Sequence, residues 1–407
     1  MAKVDNRQYS ILFQVKLWAI FSVGVATVEL SVIAYNIAGP DASALLGTAL
    51  SLKSLAYVVA PLLMAVAFER LPRGRFLILL DIIRALALLS LLFVSGRWSF
   101  LTAIAVFLAA SAAFKITYIE YVAHLLPDHE DFSWAITKSR IADELEGVVS
   151  PLAAAALLFL LPIDAGLLAA AAVFAVSALR IRAAGLPDLS KSGGGYGARA
   201  LRGLRLYLSD RTLRPLTWLM LATAAGTAMV TTTTPYLVQS VGGLGSSATA
   251  LAYGAFGAGS ILGALGYMRF AADLDDSRTM LLGGALIACG LLAGMAATQF
   301  ATIALLWAAI GAGGALIQVP GVAVIRDAAQ GESLLVVFGG GLAMQNLILA
   351  GGYGLAGGLA AAAGPVPAFA ATGGISALAV TLAWAGLRRA RRHRDAAAAG
   401  MTGPGGK

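Results

Sequence analysis

The sequence predicts an all-α membrane protein with twelve transmembrane helices in two six-helix bundles, and three observations carry that prediction. Hydrophobic residues make up 59% of the 407 positions and charged ones only 12%, against roughly 25% charge in a water-soluble chain. The mean hydropathy is +0.83, so lipid must cover the surface. Second, the apolar residues fall into continuous runs, each near the roughly 20 residues a helix needs to cross a bilayer. Continuity, rather than alternation with period two, excludes a transmembrane barrel. Third, the basic residues are one-sided. Of 29 Lys and Arg, Lys16, Lys53, Arg84, Lys115 and Arg140 fall well inside spans and Arg97 in an opposite loop; the other 23 lie in the termini, loops and adjoining span ends of one side. That asymmetry places both termini in the cytoplasm and requires an even number of crossings.

Span one (Ile11–Ile37) is too long for the core of a cleaved signal peptide and is expected to stay as an anchor; it carries Glu29. Span two (Ala42–Ala67) carries Lys53, span three (Phe76–Val94) Asp81 and Arg84, and span four (Phe100–Leu125) Lys115 and Glu120. Span five (Phe132–Leu161) holds Arg140, Asp143, Glu144 and Glu146. Their spacing lets either Asp143 or Glu144 pair with the arginine along one helix. Span six (Ala165–Ala184) closes an N-terminal bundle, residues 1–185. Residues 186–211 then read as a cytoplasmic linker. Gly193–Gly195 supplies flexibility, and Arg199, Arg202 and Arg205 share one helical face suited to lipid headgroups.

Span seven (Leu213–Gln239) contains Thr231–Thr234, whose hydroxyls are expected to bond their own helix. Span eight (Ala248–Phe270) carries Gly254, Gly257, Gly259, Gly263 and Gly266, and span eleven (Leu334–Ala361) is richer still, from Gly339 to Gly358. Small residues let helices approach closely in lipid. Two readings stand: packing within a bundle, or sliding faces between bundles. In span nine (Thr279–Ala296), Cys289 reads as a small packing residue. Span ten (Thr302–Ile325) places Gln318 two residues before Pro320, where a kink is expected. Span eleven adds Gln345 and Asn346. Span twelve (Pro367–Leu387) closes a C-terminal bundle, residues 212–388, and the basic tail, 389–407, lies against anionic headgroups. Halves of similar length around one linker point to parallel repeats about an axis normal to the membrane.

Several functional classes drop out. One cysteine allows no disulfide framework. The net charge of +8 is distributed for lipid, so no nucleic-acid partner is expected. His124, His129 and His393 are predicted at the surface, no metal-ligand spacing occurs, and no Gly-Lys-Ser/Thr follows Gly193–Gly195. Neither enzymatic chemistry nor ATP hydrolysis is expected, and no metal or cofactor.

The segment from Pro61 to Leu89 resembles the signature joining spans two and three in the major facilitator superfamily. The enterobactin-exporter-like and multidrug-exporter-like permeases are the closest branch. Glu69 and Arg70 match that family's acidic–Arg pair, and Arg73 and Arg75 its following basic positions. Asp81 and Arg84 match the Asp-x-x-Arg that opens its third span. Ala65 stands where the family has Gly, and Glu69 where it usually has Asp. The exporters' Gly-Pro-x-x-Gly-Gly of span five is represented by Gly147, Ser150, Pro151, Ala153 and Ala154, without the paired glycines. The resemblance implies a cytoplasmic gate of Glu69, Arg70, Arg73, Asp81 and Arg84. Charges of this kind form contacts in one conformation that break in the other.

An ionisable group at mid-bilayer is costly and normally faces a partner or a wet cavity. Glu29, Lys53, Lys115, Glu120, Arg140, Asp143 and Glu146 are therefore the expected charged wall of a substrate and proton pathway. Gln318, Gln345 and Asn346 form its neutral wall, or bond between helices. Lys53 and Lys115 need partners from other helices, Glu29 being one candidate. Glu29 or Glu146 is the expected proton carrier. The expected function is secondary active transport of a small organic solute across the cytoplasmic (inner) membrane, by a monomer among membrane lipids. The resemblance favours proton-coupled export; an uptake permease and a non-transporting scaffold or sensor remain alternatives.

Overall fold

Every apolar run described in the computed structural model of this protein is a helix, as lipid requires of a chain that must satisfy its own backbone. The structure describes residues 7–67, 72–126, 131–132, 134–135, 138–139, 142, 162–186, 196–271, 275–328 and 334–401. In the N-terminal half lie α1 (Arg7–Ala38), α2 (Ala42–Ala67), α3 (Arg73–Ser90), α4 (Arg97–Leu125) and α5 (Ile163–Ala183). A linker helix, α6 (Tyr196–Ser209), precedes α7 (Leu213–Pro235), α8 (Ser246–Gly266), α9 (Asp276–Ala293), α10 (Phe300–Ala328), α11 (Leu334–Ala363) and α12 (Pro365–Met401). Among the described residues, 10 helices are long and apolar enough to cross a membrane. The Thr-rich α7, 23 residues long, runs among them. Predicted span five lies largely outside the described residues, and Arg140, Asp143, Glu144 and Glu146 with it. Helix α5 is thus the sixth predicted span.

Successive helices alternate in direction between two faces. At the terminal face, Gln8 Nε2 donates to the carbonyls of Ala184 (3.4 Å) and Gly185 (3.1 Å), tying the start of α1 to the end of α5. Gly185 stops that helix at φ 57°, a conformation open to glycine at no steric cost. At the distal face, Arg97 pairs with Asp41 at 2.7 Å, both about half exposed. An exposed pair contributes only ~0–1 kcal/mol.

The outward surface is apolar. Leu86, Leu179, Leu262 and Leu305 are 60%, 64%, 67% and 70% exposed, an arrangement that lipid favours and water does not. Cys289 belongs to this surface: it is exposed, not the packing residue expected. Trp384 and Arg388 sit at the end of the apolar stretch of α12, with the guanidinium 3.8 Å from the ring centroid, the residue types that favour a membrane boundary.

The two halves have different cores. C-terminal side chains form one continuous cluster around Trp307, Phe369 and Met229, and Val25 and Leu50 from the other half reach into it. The N-terminal core is two clusters: Phe100, Phe107 and Phe174 in the distal one, Phe76, Tyr118 and Tyr121 in the terminal one. Buried charge lies between them.

Glycine resolves into both of the readings offered above. In α8, a Cβ on Gly259 would strike the Ala308 backbone of α10, and one on Gly263 would lie 2.6 Å from the Ala312 carbonyl. Gly259 and Gly263 of span eight therefore pack within the C-terminal half. In α11, Gly357 meets Gly47 and Ser43 of α2 across the halves, and Gly340 meets Gly203 of the linker helix. The linker helix forms where the arginine spacing predicts it, with Arg202 and Arg205 exposed. Its opposite side is occupied by α11 through Gly203 and the buried Tyr207.

Gly259→Val is expected to overpack one half at ~1–3 kcal/mol, read as a lower melting temperature of the purified protein. Gly357→Val, at the seam, is expected to leave the fold intact and open the distal face. In a Cys289→Ser background, Ser51→Cys would then become reactive to an impermeant thiol reagent from that side.

Candidate functional site

The buried charge between the N-terminal clusters is built on α3. Asp81 and Arg84 stand three residues apart, one helical turn, and form an ion pair with 0% and 2% of their side chains exposed. Ser177 of α5 donates its hydroxyl to the same carboxylate. The guanidinium stacks on Phe114 of α4 and Phe174 of α5, 4.0 and 4.4 Å from their centroids. A bare arginine in hydrocarbon is prohibitive; here a carboxylate and two ring faces hold it, and α3, α4 and α5 are bound together. The resemblance matched this pair to the Asp-x-x-Arg that opens span three and counted it in the expected cytoplasmic gate; the structure buries it in the bundle interior, eight and eleven residues beyond Arg73, or about 12 and 16 Å along the helix. Of the other expected gate residues, Glu69 and Arg70 lie outside the described residues, and of Arg73 only the backbone is described.

Beside this pair a cavity of about 50 Å3 opens among α1, α2, α3 and α4. Lys16 and Arg84 form its buried floor, while Tyr57 and Lys115 are half-buried at its mouth. Lys16 Nζ donates to the Ser139 carbonyl at 2.9 Å and sits 5.2 Å from the Tyr118 ring. Tyr118 is fixed by a 2.9 Å hydrogen bond to the Ser139 hydroxyl. Lys115 lies over the Tyr57 ring at 5.8 Å. Such a volume holds a few waters, each needing ~10–15 Å3 on this measure.

A second cavity, about 20 Å3, lies nearer the distal face and includes Lys53 and Ser31 with Thr231 and Tyr253 from the other half. The same faces of α1, α2 and α4 line both: Ser31 then Ile20, Lys53 then Tyr57, Leu108 then Lys115. They follow one track along the N-terminal half.

Over the distal end the halves meet. Tyr35 and Ser240 share a 2.8 Å hydrogen bond, and Ser51 Oγ donates to the Ala350 carbonyl at 2.8 Å. Tyr253 donates to the Thr231 carbonyl at 2.9 Å, with Ser31 of the opposite half also within hydrogen-bonding range. A Cβ on Gly47 would lie 2.6 Å from the Tyr353 carbonyl oxygen, so the backbones are in contact there.

The remaining expected residues scatter. Glu29 is fully buried and turns toward Gly166 of α5, where a Cβ would overlap its carboxylate. Neither of its oxygens has a hydrogen-bond partner among the described residues. It lines neither lysine cavity as described. Glu120 is half-buried in α4, and Gln318 and Gln345 are half-buried in α10 and α11. Asn346 donates to the Leu342 carbonyl of its own helix at 2.9 Å. The threonine run behaves as expected, each hydroxyl bonding the carbonyl four residues back. Thr234 also accepts from Trp307 Nε1 at 2.9 Å. Lys16, Tyr57, Tyr118 and Tyr253 were not singled out from sequence as site residues. Lys16 alone carried a signal, as a cation inside a span. Among the described residues no three His, Cys, Asp or Glu side chains come together as a metal site.

A multi-pass bundle whose halves seal one end over an interior polar track defines a membrane transporter, with a small molecule as its substrate. The sequence model of the Major Facilitator Superfamily matches residues 17–276, and the chain belongs to that family. No curated protein matches it. Among solved structures it is similar to the nucleoside transporter NupG (D323A mutant), with a TM-score of 0.69 at 14% identity, covering 92% of this chain and 99% of that one. It is similar to a bacterial homologue of the human lysosomal transporter Spinster in an inward-facing, unoccupied conformation (TM-score 0.67, 13% identity, 94% and 96% covered). The human organic anion transporter MFSD10 is also similar (TM-score 0.62, 16% identity, 94% and 100% covered). These likenesses establish the fold.

Removing one partner of a buried ion pair costs ~3–5 kcal/mol, while replacing both with apolar residues is nearly neutral. Asp81→Leu is accordingly expected to lower the melting temperature sharply, and the double variant Asp81→Leu/Arg84→Met to recover most of the loss.

Proposed function

We propose that the protein is a secondary active transporter of the cytoplasmic membrane that exports a small organic solute by alternating access, driven by protons. Two bundles, residues 1–185 and 212–388, rock about the cytoplasmic linker 186–211, with both termini in the cytoplasm and the basic tail 389–407 on the headgroups. The chain works as a monomer, requires no cofactor, and meets only solute, protons and lipid. One observation carries this reading: the halves touch through glycines and hydroxyls at the distal end, above a lysine-lined track. Such a seam is closed without being welded, since neutral hydrogen bonds contribute only ~0.5–1.5 kcal/mol each.

Glu29 is the proposed proton carrier. Its carboxyl is buried against Gly166, away from the lysines, so solute and proton would occupy separate places on the same half. Glu146 is the second candidate from sequence and lies outside the described residues.

Two experiments test the reading. A Cβ at Gly354 would lie 3.4 Å from Ser51 Oγ, which suits a disulfide between Ser51→Cys and Gly354→Cys. In a Cys289→Ser background, oxidation is expected to abolish transport into proteoliposomes of a panel of organic acids, nucleosides and dipeptides. Reduction is expected to restore it. Glu29→Gln is expected to retain solute-gradient exchange while losing pH-gradient-driven accumulation; full retention of the latter removes Glu29 as carrier.

A further inference from the structure

We infer that the linker helix α6 is a membrane-docking element: its leucine stripe enters the leaflet at the terminal face while its arginines bind anionic phospholipid headgroups there. The partner is a lipid surface, distinct from any solute, and its binding is measured without transport.

The outward face is the first ground. Leu201 and Leu208 are 62% and 61% exposed, and their separation of seven residues, about two turns, puts them on one stripe. Arg205 stands on the same side, four residues after Leu201, and Arg202 borders it around the axis; both arginines are exposed. Leu204, half-buried, widens the apolar stripe on the side away from the arginines. Two bare leucines on a short surface helix are unfavourable in water. An apolar stripe edged with arginine is the pattern of a helix lying in a bilayer interface. A phosphate headgroup matches the forked donors of a guanidinium.

Depth is the second. The stretch of α11 apolar enough to cross a bilayer begins at Gly339, and the linker helix touches α11 one residue further in. A Cβ on Gly203 would lie 2.7 Å from the Gly340 Cα. The helix is therefore level with the bilayer boundary rather than out in solvent, within reach of both headgroups and acyl chains.

Attachment is the third. The inner side of the helix is held by the C-terminal half: Tyr207 is buried against Gly341 of α11, and Thr217 of α7 donates its hydroxyl to the Tyr207 carbonyl at 2.9 Å. The carboxylate of Asp210 accepts from the backbone N–H groups of Thr212 (2.8 Å) and Leu213 (3.0 Å), so this neighbouring acid serves the start of α7. A helix fixed in this way on one side cannot turn its leucines inward, and lipid is what can cover them. Once docked, it anchors the C-terminal half to one leaflet.

The test uses the full-length protein in nanodiscs of phosphatidylcholine, with and without phosphatidylglycerol. In a Cys289→Ser background, an NBD fluorophore is attached at Leu208→Cys or at Ser209→Cys, and its quenching by doxyl groups on the lipid acyl chains is measured. Ser209 is exposed on the arginine side of the helix. Quenching is expected to be strong at Leu208 and weak at Ser209, and to grow at Leu208 with the phosphatidylglycerol content. Arg205→Gln is expected to weaken that lipid dependence roughly fivefold, the scale of one basic residue near an anionic surface, and Arg205→Lys to retain it. Equal quenching at the two positions, quenching at Leu208 that is the same without phosphatidylglycerol, or an unchanged lipid dependence in Arg205→Gln overturns the inference. So does a response of the Leu208 label to soluble polyglutamate, in phosphatidylcholine discs, larger than its response to phosphatidylglycerol, which would assign this face to an acidic protein. If Leu208→Cys fails to fold, Leu201→Cys on the same stripe is read in its place.

Discussion

Arg84 sits inside a lipid-embedded bundle, where a guanidinium needs partners for its charge and its faces. Asp81 answers its charge and the rings of Phe114 and Phe174 its two faces, while Ser177 occupies the second carboxylate oxygen. Three helices are thereby bound at one level, and the apolar core of that half is interrupted there. A polar layer of this kind is where a membrane protein can keep water and a cavity without leaving backbone groups bare. The lysine cavity opens beside it, with Arg84 as part of its floor. Fold and site share one group.

Among the described residues no comparable layer divides the other half. Its core is continuous, and its hydroxyls are absorbed locally: the threonines of α7 bond their own turn, and Trp307 completes Thr234. What that half brings to the interface is close backbone approach, through Gly357 and Gly354 of α11. Small residues forgo side-chain burial, but in lipid, association depends on packing, and a backbone in van der Waals contact packs well. The division is one of roles, a charged wall facing a smooth one.

Helix positions were legible in the sequence because hydropathy over 20 residues is a strong signal. The linker helix was legible from arginines three apart, and the threonine run from the habit of its side chains. Direction around a helix axis was not. Glu29 and Ser31 are two residues apart on α1, about 200° around the axis. Ser31 looks into the seam cavity and Glu29 at Gly166, and a uniformly apolar helix gives no way to choose between them. The Asp-x-x-Arg spacing of Asp81 and Arg84 marked two charges in span three without giving the depth at which they are buried. Glycines in spans eight and eleven looked alike, yet Gly259 and Gly263 pack within a half while Gly354 and Gly357 face α2 across the seam. Tyr57, Tyr118 and Tyr253 carried no charge to mark them, although each contributes to a cavity wall.

The placement of charge also bears on how easily the molecule changes shape. The ion pair of Asp81 and Arg84 lies wholly within one half. At the distal seam the contacts are of another kind: Tyr35 with Ser240, Ser51 with the Ala350 carbonyl, Tyr253 beside Ser31, and glycine against glycine. Water can replace a hydroxyl's hydrogen bond at a net cost of ~1 kcal/mol, whereas separating a buried ion pair costs several times that. Parting the halves therefore exchanges weak bonds for hydration and leaves the expensive interaction untouched. A charged site can then ride on one rigid half while the other swings away, and the solute's environment changes without the site being dismantled.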